Sequence, residues 1–351
     1  MASRINSIRS ILEEREECLS PFASKSKLSR GRLSPEIPSP VRLEFQRDRD
    51  RIIHCNSFRR LKHKTQVFVA PIGDHYVTRL THTLEVSQIA RTISRALNIN
   101  EDLTESISLG HDLGHTPFGH IGEEVLNDLF PGGFRHNEQS LRIVDFLENN
   151  GKGLNLTWEV RDGILNHSKT KVIEILGENW GKANTLEGEV CKIADVVAYI
   201  NHDIDDAIRA NIISEEQLPD SATSILGHSR AERINSMVCD IIDTSWDVRG
   251  ENISREPSIQ MSPKIREATQ ALHQFLYERV YIFSSAQPDA QNARKVVRSL
   301  FQFFTLHQDC LPPEYAIFDD PPDRKVVDYI ASMTDHFALR KADELGLSEG
   351  S

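Results

Sequence analysis

The sequence predicts an all-α fold. Apolar residues recur at helical spacing along several long segments, whereas few segments alternate with the period of two that is typical of a strand. The predicted helices are joined by short connections that contain glycine or proline, as is usual between packed helices. A chain of 351 residues with 39% hydrophobic residues can bury a large core, and we expect one compact body.

The first 40 residues are expected to form an N-terminal arm or loop. Four prolines lie between residues 20 and 40 among serines and basic residues, a composition that does not sustain a regular helix. A basic block follows over 42–64, and its side chains could either pair with carboxylates on a solvated helix face or bind phosphate. We expect a core over 41–210 and a C-terminal helical region, packed on that core, over 211–351.

Eight further segments show helical periodicity. The first ends near Asn98, and the second is closed by Gly114. The predicted helices lie at 79–97, 103–113, 121–129, 138–147, 190–208, 265–280, 293–304 and 324–339. The stretches 214–229 and 311–323 are expected to be loops, because the first is polar and the second is rich in proline.

Composition excludes several classes of protein. No apolar run approaches the roughly 18 residues of a membrane span, and the N-terminus lacks the apolar stretch of a secretory signal. The five cysteines form no CxxC pair, so neither a disulfide framework nor a zinc knuckle is expected. The net charge of -11 argues against wholesale coating of nucleic acid. We therefore expect a cytoplasmic protein without membrane association.

The densest cluster of reactive side chains lies between residues 110 and 124. It contains three histidines and three carboxylates, which are His111, Asp112, His115, His120, Glu123 and Glu124. A lone histidine is more often structural than a ligand, but the adjacent His111 and Asp112 can offer a nitrogen and an oxygen to one divalent cation. Two ligands hold a metal poorly, so others must come from elsewhere in the fold.

Two further ligands are predicted within apolar helices. His82 and Asp195 each lie among apolar residues, where a buried polar group needs a partner and an unpaired carboxylate is costly. With His111 and Asp112 they make a mixed set that suits Mn²⁺, Fe²⁺, Co²⁺, Ni²⁺ or Zn²⁺ and is compatible with Mg²⁺. Tyr199 and Asp203 follow Asp195 by four and eight residues and therefore share its helix face.

The order His82, His111-Asp112, Asp195 resembles the metal signature of the HD superfamily. Longer strings resemble its dGTPase-like triphosphohydrolases. These are FQRDRDRIIH at 45–54, FRRL at 58–61, KTQVF at 64–68, HDLGHTPFGHIGEE at 111–124, RHNEQS at 135–140 and DYIASMTD at 328–335. The resemblance implies an HD-domain helical bundle core with additional C-terminal helices. It also implies one divalent metal ion per site, held by those four residues.

The implied reaction is hydrolysis of a deoxynucleoside triphosphate (dNTP) at the α-phosphate, which releases a deoxynucleoside and tripolyphosphate. His120 is then expected to act as general acid or base, with Glu123 three residues later orienting its imidazole. The alternative is that both are ordinary first-turn residues, with the acid stabilised by the helix dipole. His115 and His136 are further candidates for phosphate contact or acid–base work, or for support of other site residues.

Four residues are expected to bind the substrate. Arg79 lies three residues before His82 on one helix face, and it could reach an α-phosphate oxygen or form a structural ion pair. The resemblance implies that Tyr199 lies against the sugar and that Asp203 and Gln66 bind the 3′-hydroxyl, in a pocket with no room for a 2′-hydroxyl. For Tyr199 the alternative is ordinary buried packing.

The resemblance also implies a homo-oligomer, either a tetramer or a hexamer, and a dNTP that could act as allosteric activator. Two other functions stay open. The same metal site would serve an HD phosphohydrolase that acts on a nucleoside monophosphate, an alarmone or a cyclic nucleotide. A catalytically weak protein could instead sense nucleotides or bind single-stranded nucleic acid through the basic block 42–64.

Overall fold

The computed structural model describes residues 4–68, 76–168, 183–251, 256–317 and 319–347. Within these ranges it is helical without strands, and two isolated β-bridges join Arg32 to Thr157 and Thr65 to Thr78. The predicted all-α fold is confirmed. Among the described helices, none combines the length and the apolar character that crossing a membrane requires.

The helices of the first half of the chain are α1 (Arg4–Glu16), α2 (Glu44–His54), α3 (Asn56–Arg60), α4 (Arg79–Ala96), α5 (Glu101–Gly110), α6 (His120–Leu129), α7 (His136–Arg142), α8 (Glu148–Gly151) and α9 (Trp158–Asn166). Those of the second half are α10 (Leu186–Arg209), α11 (Asp220–Leu226), α12 (Arg230–Thr244), α13 (Pro263–Leu276), α14 (Ile282–Ala286), α15 (Pro288–Leu306), α16 (Pro313–Ala316), α17 (Pro322–Ser332) and α18 (Asp335–Glu344). Single π-helical turns extend α7 and α13.

The structure differs from the expected elements at both ends of the chain. Residues 4–16 form a helix, supported by an ion pair of 2.8 Å between Arg9 and Glu13 one turn apart, where an arm or loop was expected. The single helix predicted over 324–339 is two helices. Met333 is extended, and the side chain of Thr334 caps α18 by accepting from the backbone N–H of Phe337. The expected loops contain the short helices α11 and α16.

The described residues fall into two compact units, each assembled from three stretches of chain. Unit 1 comprises residues of 1–53, 83–111 and 155–277. Unit 2 comprises residues of 54–82, 112–154 and 278–351. The chain therefore passes between the units at residues 82 and 111, next to the predicted metal ligands.

Helix α10 is the central helix of unit 1. It packs against α5, α9, α12 and α13, and its apolar residues at helical spacing are fully buried; these are Val190, Ile193, Val197, Ile200 and Ile204. Asp195, Tyr199 and Asp203 lie on this same helix. The burial of the apolar residues of α10 thus fixes the position of three predicted site residues.

The N-terminal arm over 20–40 is held against unit 1 by carboxylates. Glu187 accepts from the backbone N–H and the hydroxyl of Ser24, both at 2.9 Å. Farther along, Asp48 pairs with Arg32 and accepts from the N–H and hydroxyl of Thr157 at 2.8 and 2.6 Å. Carboxylate side chains thus accept hydrogen bonds from backbone N–H groups of the arm and of a loop, which have no partner within a helix.

The part of the basic block that lies in unit 1 is paired with carboxylates. Arg42 lies 2.6 Å from Asp50, Arg47 lies 2.6 Å from Glu36, and Arg49 lies 3.0 Å from Glu105. Arg51 also contacts Glu36 at 2.5 Å. Burial alone would raise the pKa of Glu36, but Arg51, Asn155 and Arg47 lower it to about 2. For these four arginines the structure favours local pairing over phosphate binding.

Unit 2 has its own apolar core. Helix α15 packs against α6, α17 and α18, and the fully buried residues include Leu300, Phe304, Val326 and Ile330. Phe118 belongs to the same cluster and is only 3% exposed. Because His120 follows Phe118 by two residues, the packing of this core determines where α6 begins.

Candidate active site

The predicted site residues are distributed over both units. Unit 2 contains Gln66, Arg79, His82, Asp112, His115, His120, Glu123 and His136, and unit 1 contains His111, Asp195, Tyr199 and Asp203. In unit 2 the structure brings all eight together into one network of side-chain and main-chain contacts. His111 and Asp112 are consecutive in the chain and belong to different units.

Asp112 is the centre of the unit 2 network. Its Oδ2 accepts a hydrogen bond of 2.8 Å from Arg79 Nη1 and lies 3.8 Å from Nε2 of His82. All three side chains are buried. An imidazole nitrogen and a carboxylate oxygen at this separation can both coordinate one divalent ion between them. Arg79 forms the ion pair that was one of its two expected roles.

His115 lies between Asp112 and His136. Its Nε2 is 3.3 Å from Oδ1 of Asp112, and its ring stacks on that of His136 with centroids 4.0 Å apart. Among the described residues, its buried Nδ1 has no hydrogen-bond partner. Burial, reinforced by the charges of Arg79 and His136, holds the pKa of His115 well below its ordinary value. His115 is therefore a neutral imidazole.

Glu123 links His120 to His136. Its carboxylate accepts from Nδ1 of His120 at 3.0 Å, and from Nδ1 and the backbone N–H of His136 at 2.9 and 2.8 Å. Burial alone would raise the pKa of Glu123, but the two histidines hold it well below its ordinary range. Burial alone would lower the pKa of His136, and Glu123 raises it instead. The pair is therefore carboxylate and imidazolium.

His120 is the accessible member of this group. Its side chain is 74% exposed, whereas those of Glu123 and His136 are 17% and 9% exposed. The bond to Glu123 places a hydrogen on Nδ1 of His120, so Nε2 is the atom available for proton transfer. Ligand atoms of His115, His120, Glu123 and His136 all lie within 4.8 Å of one another, close enough to hold a cation as well.

Unit 1 presents His111 in a defined orientation. Nδ1 of His111 lies 2.6 Å from the carbonyl oxygen of Ser108, one turn earlier, and its ring meets that of His167 edge-on at 4.9 Å. A hydrogen on Nδ1 donated to that carbonyl makes Nε2 the atom that would coordinate a metal. The fixed tautomer is typical of a metal-binding histidine.

The other predicted residues of unit 1, Asp195 and Asp203, act electrostatically on the hydroxyl of Tyr199. This oxygen is buried and has no hydrogen-bond partner within the described part of the chain. Burial, together with the nearby charges of Asp195 and Asp203, raises the pKa of Tyr199 well above its ordinary value. Asp203 is paired with His202 at 2.8 Å. This face of α10 is therefore polar, with a buried Asp203 and a buried Tyr199 hydroxyl beside the half-buried Asp195.

Two neighbours of the site were not predicted as site residues, although one of them, Lys64, lies in the KTQVF string at 64–68. In unit 1, His273 meets the Tyr199 ring edge-on at 6.0 Å. In unit 2, the buried ammonium of Lys64 donates to the carbonyls of His115 and, at 2.8 Å, Ala331. Burial lowers the pKa of Lys64 to about 7. Only the fold brings these residues next to the predicted ones, so sequence spacing could not have indicated them.

Two protein-family models match the chain, one mostly in its N-terminal half and one near its C-terminus. Residues 79–200 match the HD domain, and residues 259–344 match the phosphohydrolase-associated domain. A solved structure of a hypothetical protein from Aquifex aeolicus is 17% identical with a TM-score of 0.45, covering 85% of this chain and 68% of that chain. That likeness is too low to add to the assignment.

Full-length relatives are much closer. Deoxyguanosinetriphosphate triphosphohydrolase-like protein of Caldanaerobacter subterraneus subsp. tengcongensis is 55% identical over 97% of this chain and 96% of its own. The proteins of the same name from Desulfatibacillum aliphaticivorans and Clostridium perfringens are each 46% identical, covering 96% and 93% of this chain and 97% and 94% of their own. Identity at this level over nearly the whole length places the chain in the deoxyguanosinetriphosphate triphosphohydrolase-like family of HD-domain hydrolases.

Proposed function

We propose that the protein hydrolyses dNTPs to deoxynucleoside and tripolyphosphate with the help of a divalent metal ion. One observation carries this proposal. The exposed His120 is held by the half-buried carboxylate of Glu123, in the same unit as the His82 and Asp112 pair. An oriented proton carrier close to potential metal ligands is the arrangement that phosphoester hydrolysis needs.

The donor set fits a divalent metal. His82 and Asp112 offer a nitrogen and an oxygen 3.8 Å apart, and both side chains are buried. We propose that His111 and Asp195 complete the set. The Nδ1 contact of His111 with Ser108 supports this role, because it presents Nε2 as the ligand atom. When bound, a divalent ion would polarise a phosphoryl oxygen and lower the pKa of a bound water.

The proposed roles of the other unit 2 residues follow from their charges. His120 transfers a proton through Nε2 at the scissile phosphate ester, as general acid or base. Glu123 holds the imidazole of His120 in place and compensates the charge of His136. The neutral His115 and the cationic Arg79 and His136 then face the negatively charged phosphate chain, which they stabilise by hydrogen bonds and charge.

Two buried polar atoms support a sugar-binding role. The Tyr199 hydroxyl in unit 1 and Oε1 of Gln66 in unit 2 have no hydrogen-bond partner among the described residues. A buried polar group without a partner is costly, and a ligand hydroxyl would satisfy it. We propose that Tyr199, Asp203 and Gln66 bind the deoxyribose and its 3′-hydroxyl, so that deoxynucleotides are preferred over ribonucleotides.

The test is product analysis with metal-stripped protein. Each dNTP and each ribonucleotide is incubated with Mg²⁺, Mn²⁺ or Co²⁺, and nucleoside, tripolyphosphate, pyrophosphate and phosphate are separated by chromatography. We expect deoxynucleoside and tripolyphosphate in equal amounts, and little turnover of the ribonucleotides. Pyrophosphate or phosphate as the first product would contradict the proposal.

The same assay distinguishes the other functions. Turnover of a nucleoside monophosphate, an alarmone or a cyclic nucleotide, but not of dNTPs, would show a different HD phosphohydrolase. Binding of dNTPs without turnover under any metal would indicate a sensor. Adding a second dNTP to each reaction tests allosteric activation, and light scattering during the same incubations tests the proposed tetramer or hexamer.

A further inference from the structure

The residues just before His120 have an unusual backbone. Phe118 has a φ of 62° and Gly119 a φ of 58°, so two consecutive residues are in the left-handed region. For a bulky residue such as Phe118 this conformation is disfavoured, and it persists only where the surroundings enforce it. Within the turn, the hydroxyl of Thr116 donates to the carbonyl of Gly119 at 2.8 Å. The turn leads directly into α6, which begins at His120.

One carboxylate from a distant part of the chain binds this turn. Asp335, in the first turn of α18, accepts the backbone N–H of Phe118 at 2.9 Å through Oδ1. Its Oδ2 accepts the backbone N–H of Thr65 at 2.9 Å and the hydroxyl of Thr65. Asp335 is only 8% exposed. Three donors therefore converge on one buried carboxylate, and all of them lie in unit 2.

We propose that Asp335 is a positioning residue, which holds Phe118 in its left-handed conformation and thereby sets the position of His120 relative to Glu123. It also fixes Thr65, whose neighbour Gln66 is a proposed substrate ligand. The inference rests on the proposed function only for the reaction that His120 serves. The effect on the turn itself is independent of the substrate.

Neighbouring contacts support this reading. Lys64, next to Thr65, donates to the carbonyl of His115, three residues before Phe118, and to that of Ala331, four residues before Asp335. Lys64 and Asp335 thus connect the same three segments, which are 64–65, 115–118 and 331–335. A carboxylate is required at 335 because an amide offers one accepting atom, and three donors would then compete for it.

The test is Asp335→Asn, which keeps the size of the side chain. We expect kcat to fall by about 100-fold because His120 would be misplaced, and KM to change less than kcat because Gln66 is only one of the proposed substrate contacts. Bound metal should be unchanged. A crystal structure of the variant should show Phe118 outside the left-handed region or His120 displaced from Glu123. Asp343→Asn, which removes an exposed carboxylate from the same helix, should leave all four measurements as in the wild type.

Thr65→Val provides a second variant if Asp335→Asn does not fold. It removes only the hydroxyl donor, and we expect a smaller fall in kcat with the same direction of movement of the turn. Wild-type turn geometry and wild-type kcat in Asp335→Asn, or in Thr65→Val where Asp335→Asn does not fold, would overturn the positioning role. If the wild type hydrolyses no dNTP, the proposed function fails, and the two crystal structures still decide the role of Asp335.

Discussion

Oε1 of Glu123 lies 2.9 Å from Nδ1 of His136, and the same carboxylate accepts from Nδ1 of His120 at 3.0 Å. One anion therefore orients two imidazoles of different exposure. His136 is buried and cationic, whereas His120 is exposed and able to exchange protons. The two imidazoles differ in protonation because they differ in burial: a charged imidazole is retained in the interior only when an anion is paired with it.

Replacement of Glu123 by Gln should reduce kcat by about 100-fold or more, since general acid–base groups contribute roughly 10²–10⁴. The neutral amide cannot compensate the positive charge of His136, and it binds His120 more weakly than the carboxylate does. The measurement is steady-state release of tripolyphosphate. Glu124→Gln is the matched control, because Glu124 is the next residue and pairs only with Arg294 among the contacts seen for it, at 3.0 Å. Equal effects of the two substitutions would contradict this role of Glu123.

The metal ligands and the proton carrier should separate experimentally. We expect His111→Ala and Asp195→Ala to lose bound metal and activity together, because each removes a proposed ligand. His120→Ala should keep the metal while losing rate. The metal content is measured by mass spectrometry, and the binding of added metal is measured by calorimetry. His54→Ala, which removes an exposed histidine, is the control. Full metal occupancy in His111→Ala would show that the metal is bound elsewhere.

Stability should depend on pH through the pair of Glu123 and His136. Burial alone would lower the pKa of His136, but pairing raises it above 6.5, so the stabilisation is present below pH 6.5 and is lost as pH rises through the raised value. Burial alone would raise the pKa of Glu123, but pairing lowers it below 4.5, so the stabilisation is present above pH 4.5 and is lost as pH falls through the lowered value.

The pair therefore contributes most between pH 4.5 and 6.5. Urea unfolding of the wild type and of Glu123→Gln at several pH values measures the difference in the free energy of unfolding. We expect this difference to be largest in that window and to shrink at more alkaline pH. A difference that grows steadily up to pH 9 would show that His136 is not cationic in the folded protein. Comparing variants cancels the opposite contribution of the neutral His115.

The buried carboxylate that holds the N-terminal arm should matter for stability. Asp48→Ala leaves Arg32 without its fully buried partner and removes the acceptor of the Thr157 N–H. We expect a loss of about 3 kcal/mol in the free energy of unfolding, since breaking a buried pair is strongly destabilising. Asp50→Ala removes an acid that is 28% exposed and pairs with the half-exposed Arg42, and should cost at most about 1 kcal/mol. The measurement is the free energy of unfolding of both variants by urea denaturation, and equal losses in the two would contradict the prediction.

Gly119 should not tolerate a side chain. A Cβ at this position would lie 2.8 Å from Nη2 of Arg79, and the φ of 58° is unfavourable for other residues. We expect Gly119→Ala to displace Arg79 from Asp112 and to lower kcat by at least about tenfold. Gly346→Ala has a comparable φ of 66° but nothing within 4 Å, so it carries the backbone strain without the steric clash. Wild-type kinetics in Gly119→Ala would contradict the tight packing around Arg79.

Periodicity in the sequence predicted the fold class and the long buried helices. The helix expected over 190–208 is α10, and that expected over 79–97 is α4. These succeed because an apolar stripe at a spacing of three and four residues can be buried only on one helix face. The break at Met333 and the helix at 4–16 were not predicted. The break depends on the cap by Thr334, and the helix at 4–16 is supported by the ion pair of Arg9 and Glu13. Neither feature changes the spacing of the apolar residues.

The sequence by itself determined which residues could bind a metal or transfer protons, because histidines and carboxylates that cluster or lie within apolar helices can be recognised from the sequence. It also indicated His120 with Glu123, which are one helical turn apart. Only the tertiary structure decided that Glu123 also binds His136, that Arg79 pairs with Asp112, and that Asp335 binds the turn before His120. Those contacts join residues that are far apart in the sequence or lie in different helices and turns. Their proximity results from burial of the apolar core, which no local spacing encodes.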